Sequence, residues 1–244
     1  MAEKTEIAWT DSTFNPWWGC SKVGPGCDHC YAEALDRRTG GDHWGATKTP
    51  RTMSANNWRK PARWNRIAEA TGTRRRVFCG SMCDWADKNA QDSERARLWA
   101  LIRSTPMLDW QLLMKRAPNI ARRLPADWGS GYENVWLGVT VENRKHGLPR
   151  IEHLRRVPAR VRFLSIEPLL EDLGEIDLTG IHWVIVGGES GHGVRPLDAA
   201  WVESIRRQCK AAGVAFFFKQ WGGWVDKGGC LIDGGEVKEW PAAA

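Results

Sequence analysis

Val135-Trp136-Leu137-Gly138-Val139-Thr140-Val141-Glu142 decides the fold class of this 244-residue chain. Its β-branched and aromatic residues read as a strand. Alternation places Val135, Leu137, Val139 and Val141 on one face and Trp136, Gly138, Thr140 and Glu142 on the other. The run therefore begins apolar and gathers polar groups at its carboxyl end.

Working outward, similar runs begin near Val77, Trp110, Asn134, Val161, His182 and Val214, between 21 and 33 residues apart. That interval fits one strand–helix–strand step. Helical patterns fill several intervals, over Asp92–Ser104, Asn119–Leu124 and Asp198–Ala212. The last has Asp198 as N-cap, Gly213 just past its end and cations in its final turns. Earlier, Tyr31–Arg38 reads as a helix stopped by Gly40-Gly41, residues 40–57 as a long loop, and Pro61–Ala70 as a second helix ending near Gly72. With a first strand near Ile7–Phe14, the expectation is an α/β chain: a full or partial TIM-like (βα) barrel of six or seven parallel strands in a single domain. Residues 1–223 would form the barrel. Residues 224–244 read as a C-terminal appendage, with a hairpin around Asp233-Gly234-Gly235.

The polar strand ends are Ser81 and Asp84, Lys115, Thr140 and Glu142, Ser165 and Glu167, Glu189, and Lys219 with Gln220. Parallel α/β folds build their sites at the carboxyl ends of strands, so these residues are expected to share one rim. Lys219, Gln220 and Glu189 are the candidate catalytic residues.

After the first strand comes Gly19-Cys20-Ser21-Lys22-Val23-Gly24-Pro25-Gly26-Cys27-Asp28-His29-Cys30. Three cysteines spaced C-x6-C-x2-C in a Gly/Pro-rich loop gather soft donors of the kind that zinc or an iron–sulfur cluster takes. No fourth Cys or His follows at a natural spacing, so one coordination position is expected to stay open. The remaining cysteines read as Cys79 and Cys83, small buried thiols on one strand face, and Cys209 and Cys230, incidental. The histidines form no metal-binding spacing, and His192 in a Gly-rich turn is the one to watch.

Seven cysteines, no leader-like N-terminus and no long apolar run place the chain in a reducing cytoplasm, away from the membrane. A net charge of +6 permits a polyanionic partner. Most of the sixteen tryptophans read as core. Trp17, Trp18 and Trp85, beside the special loops, are the candidates for stacking on a base. Arg74–Arg76, Arg155-Arg156 and Arg206-Arg207 are basic clusters compatible with nucleic acid.

A three-cysteine loop at the head of a βα barrel resembles the radical S-adenosylmethionine superfamily. Nearly the whole chain is similar to the phage and prophage family of unknown function named for its three-Cys motif, distantly spore photoproduct lyase-like. The matching phrases are GCSKVGPGCDHCYAE (19–33), SMCDWAD (81–87), LLMKRAP (112–118), LGVTVEN (137–143), RFLSIEPLL (162–170), WVIVGGESG (183–191) and FFFKQWGG (216–223). The resemblance implies a [4Fe–4S] cluster on Cys20, Cys27 and Cys30, whose remaining iron binds S-adenosylmethionine. It further implies reductive cleavage to a 5′-deoxyadenosyl radical that abstracts a substrate hydrogen, with electrons from a reductase or other donor. His29 falls where the superfamily carries an aromatic residue near the adenine. Ser81 and Asp84 would meet the methionine or ribose, and Thr140, Glu142, Ser165 and Glu167 the ribose or substrate. Two features depart from the superfamily. Its first cysteine gap is three residues and here it is six; and Gly187-Gly188-Glu189 follows a later strand than the superfamily's Gly-Gly-Glu, so that role is not transferred.

The expectation is thus a radical enzyme acting on a nucleotide or nucleic-acid base. The rivals are a zinc-stabilised nucleic-acid-binding protein without catalysis, and an iron–sulfur protein performing non-radical alkyl transfer.

Overall fold

Seven parallel strands follow one another across a single sheet in chain order. They are β1 (Ser12–Phe14), β2 (Arg75–Cys79), β3 (Leu108–Met114), β4 (Val135–Thr140), β5 (Val161–Ile166), β6 (Trp183–Gly187) and β7 (Ala215–Gln220). The computed structural model describes residues 3–224 and 227–242. The expected appendage therefore has Val225, Asp226, Ala243 and Ala244 outside the described residues. The helices are α1 (Tyr31–Arg38), α2 (Ala55–Thr71), α3 (Asp92–Arg103), α4 (Ile120–Arg123), α5 (Leu148–Arg155) and α6 (Ala199–Ala212). Since β1 and β7 are not paired with each other, the sheet curls into a partial barrel.

The strand starts agree with the sequence reading to within two residues, because each is announced by its own apolar run. Three local readings differ. The first strand is only Ser12–Phe14; residues 7–11 turn instead and carry Trp9 into the lumen. Helix α2 starts six residues before Pro61, where Ser54 caps it by accepting from the Asn57 N–H at 3.4 Å. Pro61 is tolerated inside the helix, which shortens the expected loop. Helix α5 has no counterpart in the sequence reading, because a short segment with Pro149 offers little periodicity.

Two apolar layers separate the faces of the strands. Val77, Leu112, Leu137, Leu164 and Val184 pack outward beneath the helices. Trp9, Phe78, Trp136, Phe163, Trp183 and Phe217 fill the lumen at the amino end. Gly138 makes room there: a Cβ on it would stand 2.3 Å from the Phe163 ring. Trp183 meets Trp9, Trp136 and Phe217 edge-on, with ring centroids 6.2, 5.9 and 6.0 Å away. The plug ends the barrel floor and leaves only the carboxyl end open to polar groups.

The tail then covers the free edge of β7. Phe218 N–H donates to the Val237 carbonyl at 2.8 Å and Glu239 N–H to that of Phe216 at 3.0 Å. Such pairing protects an edge strand. The expected hairpin is present, with Leu231–Ile232 paired antiparallel to Gly235–Glu236. Beyond it, Trp240 stacks on Trp183 at 4.9 Å, with the Arg76 guanidinium 3.8 Å above its ring. Among the described residues no helix is long and apolar enough to cross a membrane.

Trp17 and Trp85 are buried in the outer layer and are not stacking surfaces. Trp18 is partly exposed with Arg51 4.6 Å over its ring, and Trp224 is the tryptophan that projects into solvent, 70 % exposed. Replacing Trp183 with Ala removes the centre of the lumen plug. Urea unfolding should show a loss of about 3–5 kcal/mol.

Candidate functional site

The cysteine loop lies over the carboxyl ends of the strands, and buried carboxylates of the rim hold it, Glu142 by direct contact, Asp84 and Glu189 through arginines. Beneath its tip, Glu142, 1 % exposed, receives the Arg150 guanidinium at 2.6 Å, the Lys115 ammonium at 3.2 Å and the Thr140 hydroxyl at 2.8 Å. Gly26 rests directly on this group, since a Cβ there would come within 2.5 Å of Glu142 Cγ. A side chain there would force either the loop or the Glu142 carboxylate to shift. Burial by itself would raise the Glu142 pKa. The charges of Lys115 and Arg150 and the hydrogen bonds from Thr140 and Arg150 outweigh it and hold the carboxyl below the usual glutamate range. Lys115 stays charged despite its burial because Glu142, and then Cys27, favour the ammonium form.

The loop's first cysteine is held from the side. Arg116 is buried and donates from Nη1 to Cys20 Sγ at 3.3 Å and to Asp84 Oδ2 at 3.2 Å. Its Nη2 reaches the Ser21 carbonyl and hydroxyl, both at 2.6 Å, and Asp87 Oδ2 at 3.1 Å. Burial and then the charge of Asp84 push the Cys20 thiol up to about 12, with Arg116 opposing them. Asp84 also accepts from the N–H groups of Ala86 and Lys115, each at 2.9 Å, so it fixes the chain where β3 ends.

Glu189 holds the other side. Its carboxylate accepts from Arg195 N–H and Nε, each at 3.0 Å, and lies 3.0 Å from His29 Nδ1. Arg195 Nη2 donates onward to the Pro25 carbonyl at 3.1 Å. Burial again works to raise the Glu189 pKa, and the Arg195 and His29 hydrogen bonds overcome it. The Gly187-Gly188-Glu189 turn thus fastens the cysteine loop. Near Cys30, Tyr31 donates to the Ser81 carbonyl at 2.7 Å, and Asn15 Nδ2 donates to the Ser81 hydroxyl at 2.8 Å. Glu167 is ion-paired with Lys219 across the rim, while Ser165 is buried below it. Gln220 turns away and donates to the Gly188 carbonyl at 3.3 Å.

The strand-end residues expected to share a rim therefore meet through four networks: Asp84 with Arg116, Glu142 with Thr140 and Lys115, Glu167 with Lys219, and Glu189 with His29. Arg116, Arg150, Arg195 and Asp87 complete them and are absent from the sequence reading. Arg116 was within reach of that reading, one residue past Lys115. Nothing in the sequence marks Arg150, whose helix is itself hard to read.

Cys20, Cys27 and Cys30 are free and part-exposed. Cys27 closes a 3₁₀ turn and Cys30 is the N-cap of α1. Among the described residues no group of three or more His, Cys, Asp and Glu side chains stands gathered to hold a metal ion. The donor set nevertheless suits a thiolate-bound cluster: three unlinked sulfurs in one loop, with the Arg116 guanidinium as hydrogen-bond donor to one of them and Lys115 as a cation near another. Cys79 and Cys83 are buried thiols whose pKa values burial raises; the chain turns between them at Gly80, φ +104°.

The depressed Glu142 pKa sets a pH dependence. A carboxyl lowered by folding contributes stability above its unfolded pKa of about 4.3, and that contribution disappears as pH falls through the lower folded value. Glu142→Gln should cost about 3 kcal/mol at pH 7 by leaving Lys115 and Arg150 uncompensated. The gap between variant and native chain should narrow on acidification below the ordinary glutamate range, as followed by urea unfolding at a series of pH values.

A family model described as "Protein of unknown function (DUF5131)" matches residues 4–239. No curated protein and no solved structure matches the chain. With nearly its whole length covered, this chain belongs to the DUF5131 family.

Proposed function

We propose that this protein is a radical S-adenosylmethionine enzyme of the phage and prophage three-Cys-motif kind, working in a reducing cytoplasm with an electron-donating reductase. The observation that carries the reading is the seating of one three-thiol loop on the carboxyl-end rim of a partial βα barrel, flanked by Arg116, Lys115 and Arg195. Cys20, Cys27 and Cys30 would hold a [4Fe–4S] cluster. When bound, such a cluster would supply the one-electron reduction, fed by the reductase, by which S-adenosylmethionine is cleaved for hydrogen abstraction from the substrate.

The chain's own residues position and shield. Arg116 offers an N–H to the Cys20 sulfur, which offsets thiolate charge in a site with two neighbouring carboxylates. None of residues 21–30 is buried, so the loop can draw its sulfurs inward with little loss of packing. Its anchor points, Glu142 under Gly26, Arg195 under Pro25 and Arg116 at Ser21, keep it over the rim as it does so. On this reading His29, Ser81, Ser165 and Glu167 would meet the cofactor's adenine, ribose or methionine. Asp84, Thr140 and Glu142 act one step behind, since their oxygens are taken up in holding Arg116, Lys115 and Arg150. Lys219, with its Glu167 partner, faces the substrate, a nucleotide or nucleic-acid base.

Anaerobic reconstitution with iron and sulfide should give a brown protein absorbing broadly near about 400 nm. Cys20→Ala, Cys27→Ala and Cys30→Ala should each lose that absorbance and the bound iron. Dithionite with S-adenosylmethionine should release 5′-deoxyadenosine from the native chain alone. A colourless, zinc-loaded protein, or full iron retention in any of the three variants, contradicts the assignment.

A further inference from the structure

Helix α2 presents a row of cations that the rest of the molecule does not neutralise. Arg59, Arg63 and Arg66 follow at i, i+4 and i+7 and are all exposed, so they share one face of the helix. At 1.5 Å rise per residue the row is about 10 Å long. Lys60 borders it, and Arg51 stands exposed just before the helix begins. The helix carries one acid, Glu69, whose Oε1 accepts from Asn65 at 2.8 Å. Among the described residues, the ion pair made by this row is the loose 3.6 Å contact of Arg63 with Glu3, and Arg59 donates instead to the neutral Asn56. Several arginines of other helices are paired, while Arg207 and Lys210 of α6 are exposed like the α2 row. Arg155 pairs with Glu152 and Asp177, Arg206 with Glu203 and Asp233, and Arg103 with Asp127.

The row also leads somewhere. Helix α2 descends from the carboxyl rim, and the strand pair before it sets Arg51 opposite Trp18, with the guanidinium 4.6 Å over the indole ring. Trp18 is partly exposed and is followed by Gly19 and Cys20. A line of phosphate-sized anions laid along Arg66, Arg63 and Arg59 would therefore arrive at a cation–aromatic platform beside the cysteine loop. Cationic tracks ending on an aromatic face are how single strands are held without sequence readout.

We infer that the exposed face of α2, continued by Arg51 and Trp18, binds the phosphodiester backbone of a single-stranded nucleic acid and guides it to the rim. The inference rests on the proposed reading only in treating the bound strand as substrate, because chemistry on a base requires that base out of its stack. Binding itself needs no iron and can be measured on protein without reconstitution.

The test is fluorescence anisotropy with a fluorescein-labelled DNA single strand of about 20 nucleotides, longer than one such site occupies. RNA of the same sequence and the corresponding DNA duplex are run beside it, between about 50 and 200 mM salt. The native chain should bind both single strands more tightly than the duplex. Arg59→Gln/Arg63→Gln/Arg66→Gln should weaken binding about tenfold or more and lower the slope of log K against log salt by about 2, from three contacts at ~0.7 each. A control, Arg156→Gln/Arg207→Gln/Lys210→Gln, removes the same charge from exposed positions elsewhere and should leave affinity within about twofold. Circular dichroism establishes that both variants are folded. Equal weakening in the two variants, tighter binding of the duplex, or no binding by the native chain at the lowest salt overturns the inference. None of these outcomes touches the cluster assignment, which stands or falls on bound iron.

Discussion

The contact between Gly26 and Glu142 is the constraint on which the site depends. It joins the one segment rich in thiols to the one end of the barrel rich in charge, at a distance only a glycine permits. Glu142 in turn can be buried only because Lys115 and Arg150 meet it from neighbouring elements, the end of β3 and helix α5. A buried ion network of this kind is poor evidence for stability, since apolar residues of equal volume often do as well. What it does supply is register: the loop has one height above the rim and one orientation along it.

The same logic repeats around the loop. Asp84 and Asp87 fix Arg116, which reaches Cys20; Glu189 fixes Arg195, which reaches Pro25. In each case a rim carboxylate holds a guanidinium, and the guanidinium holds the loop. Arginine suits this work better than lysine because its planar fork can serve a carboxylate and a backbone carbonyl together. The loop itself buries no residue between 21 and 30. Its placement is thus electrostatic and hydrogen-bonded, whereas that of the barrel beneath it is apolar and rigid. This division lets thiols adjust while their surroundings do not.

How much of this is legible in the sequence follows from the same division. The strands could be read because each is an apolar run with a period of two, and the alternation of Val135–Glu142 put Thr140 and Glu142 on the lumen face where they lie. The cysteine loop announced itself through spacing and turn residues. Trp17 and Trp85 misled because composition marks an aromatic residue but not which way it points. The cations that complete the rim were out of reach for a related reason: Arg195 reaches back to Pro25 near the start of the chain, Arg150 meets Glu142 from a helix with little periodicity of its own, and nothing local to them distinguishes a buried guanidinium from a solvated one. Helix α5 failed to register because its burial comes from packing and not from its own periodicity.

The central claim is that the three thiols leave one iron position for a small sulfonium ligand. Electron paramagnetic resonance of the reconstituted, reduced protein tests it most directly. The account predicts a [4Fe–4S]⁺ signal whose shape changes when S-adenosylmethionine is added, because that ligand enters the coordination of one iron. A signal indifferent to S-adenosylmethionine, from a cluster fully ligated by the protein, would contradict it.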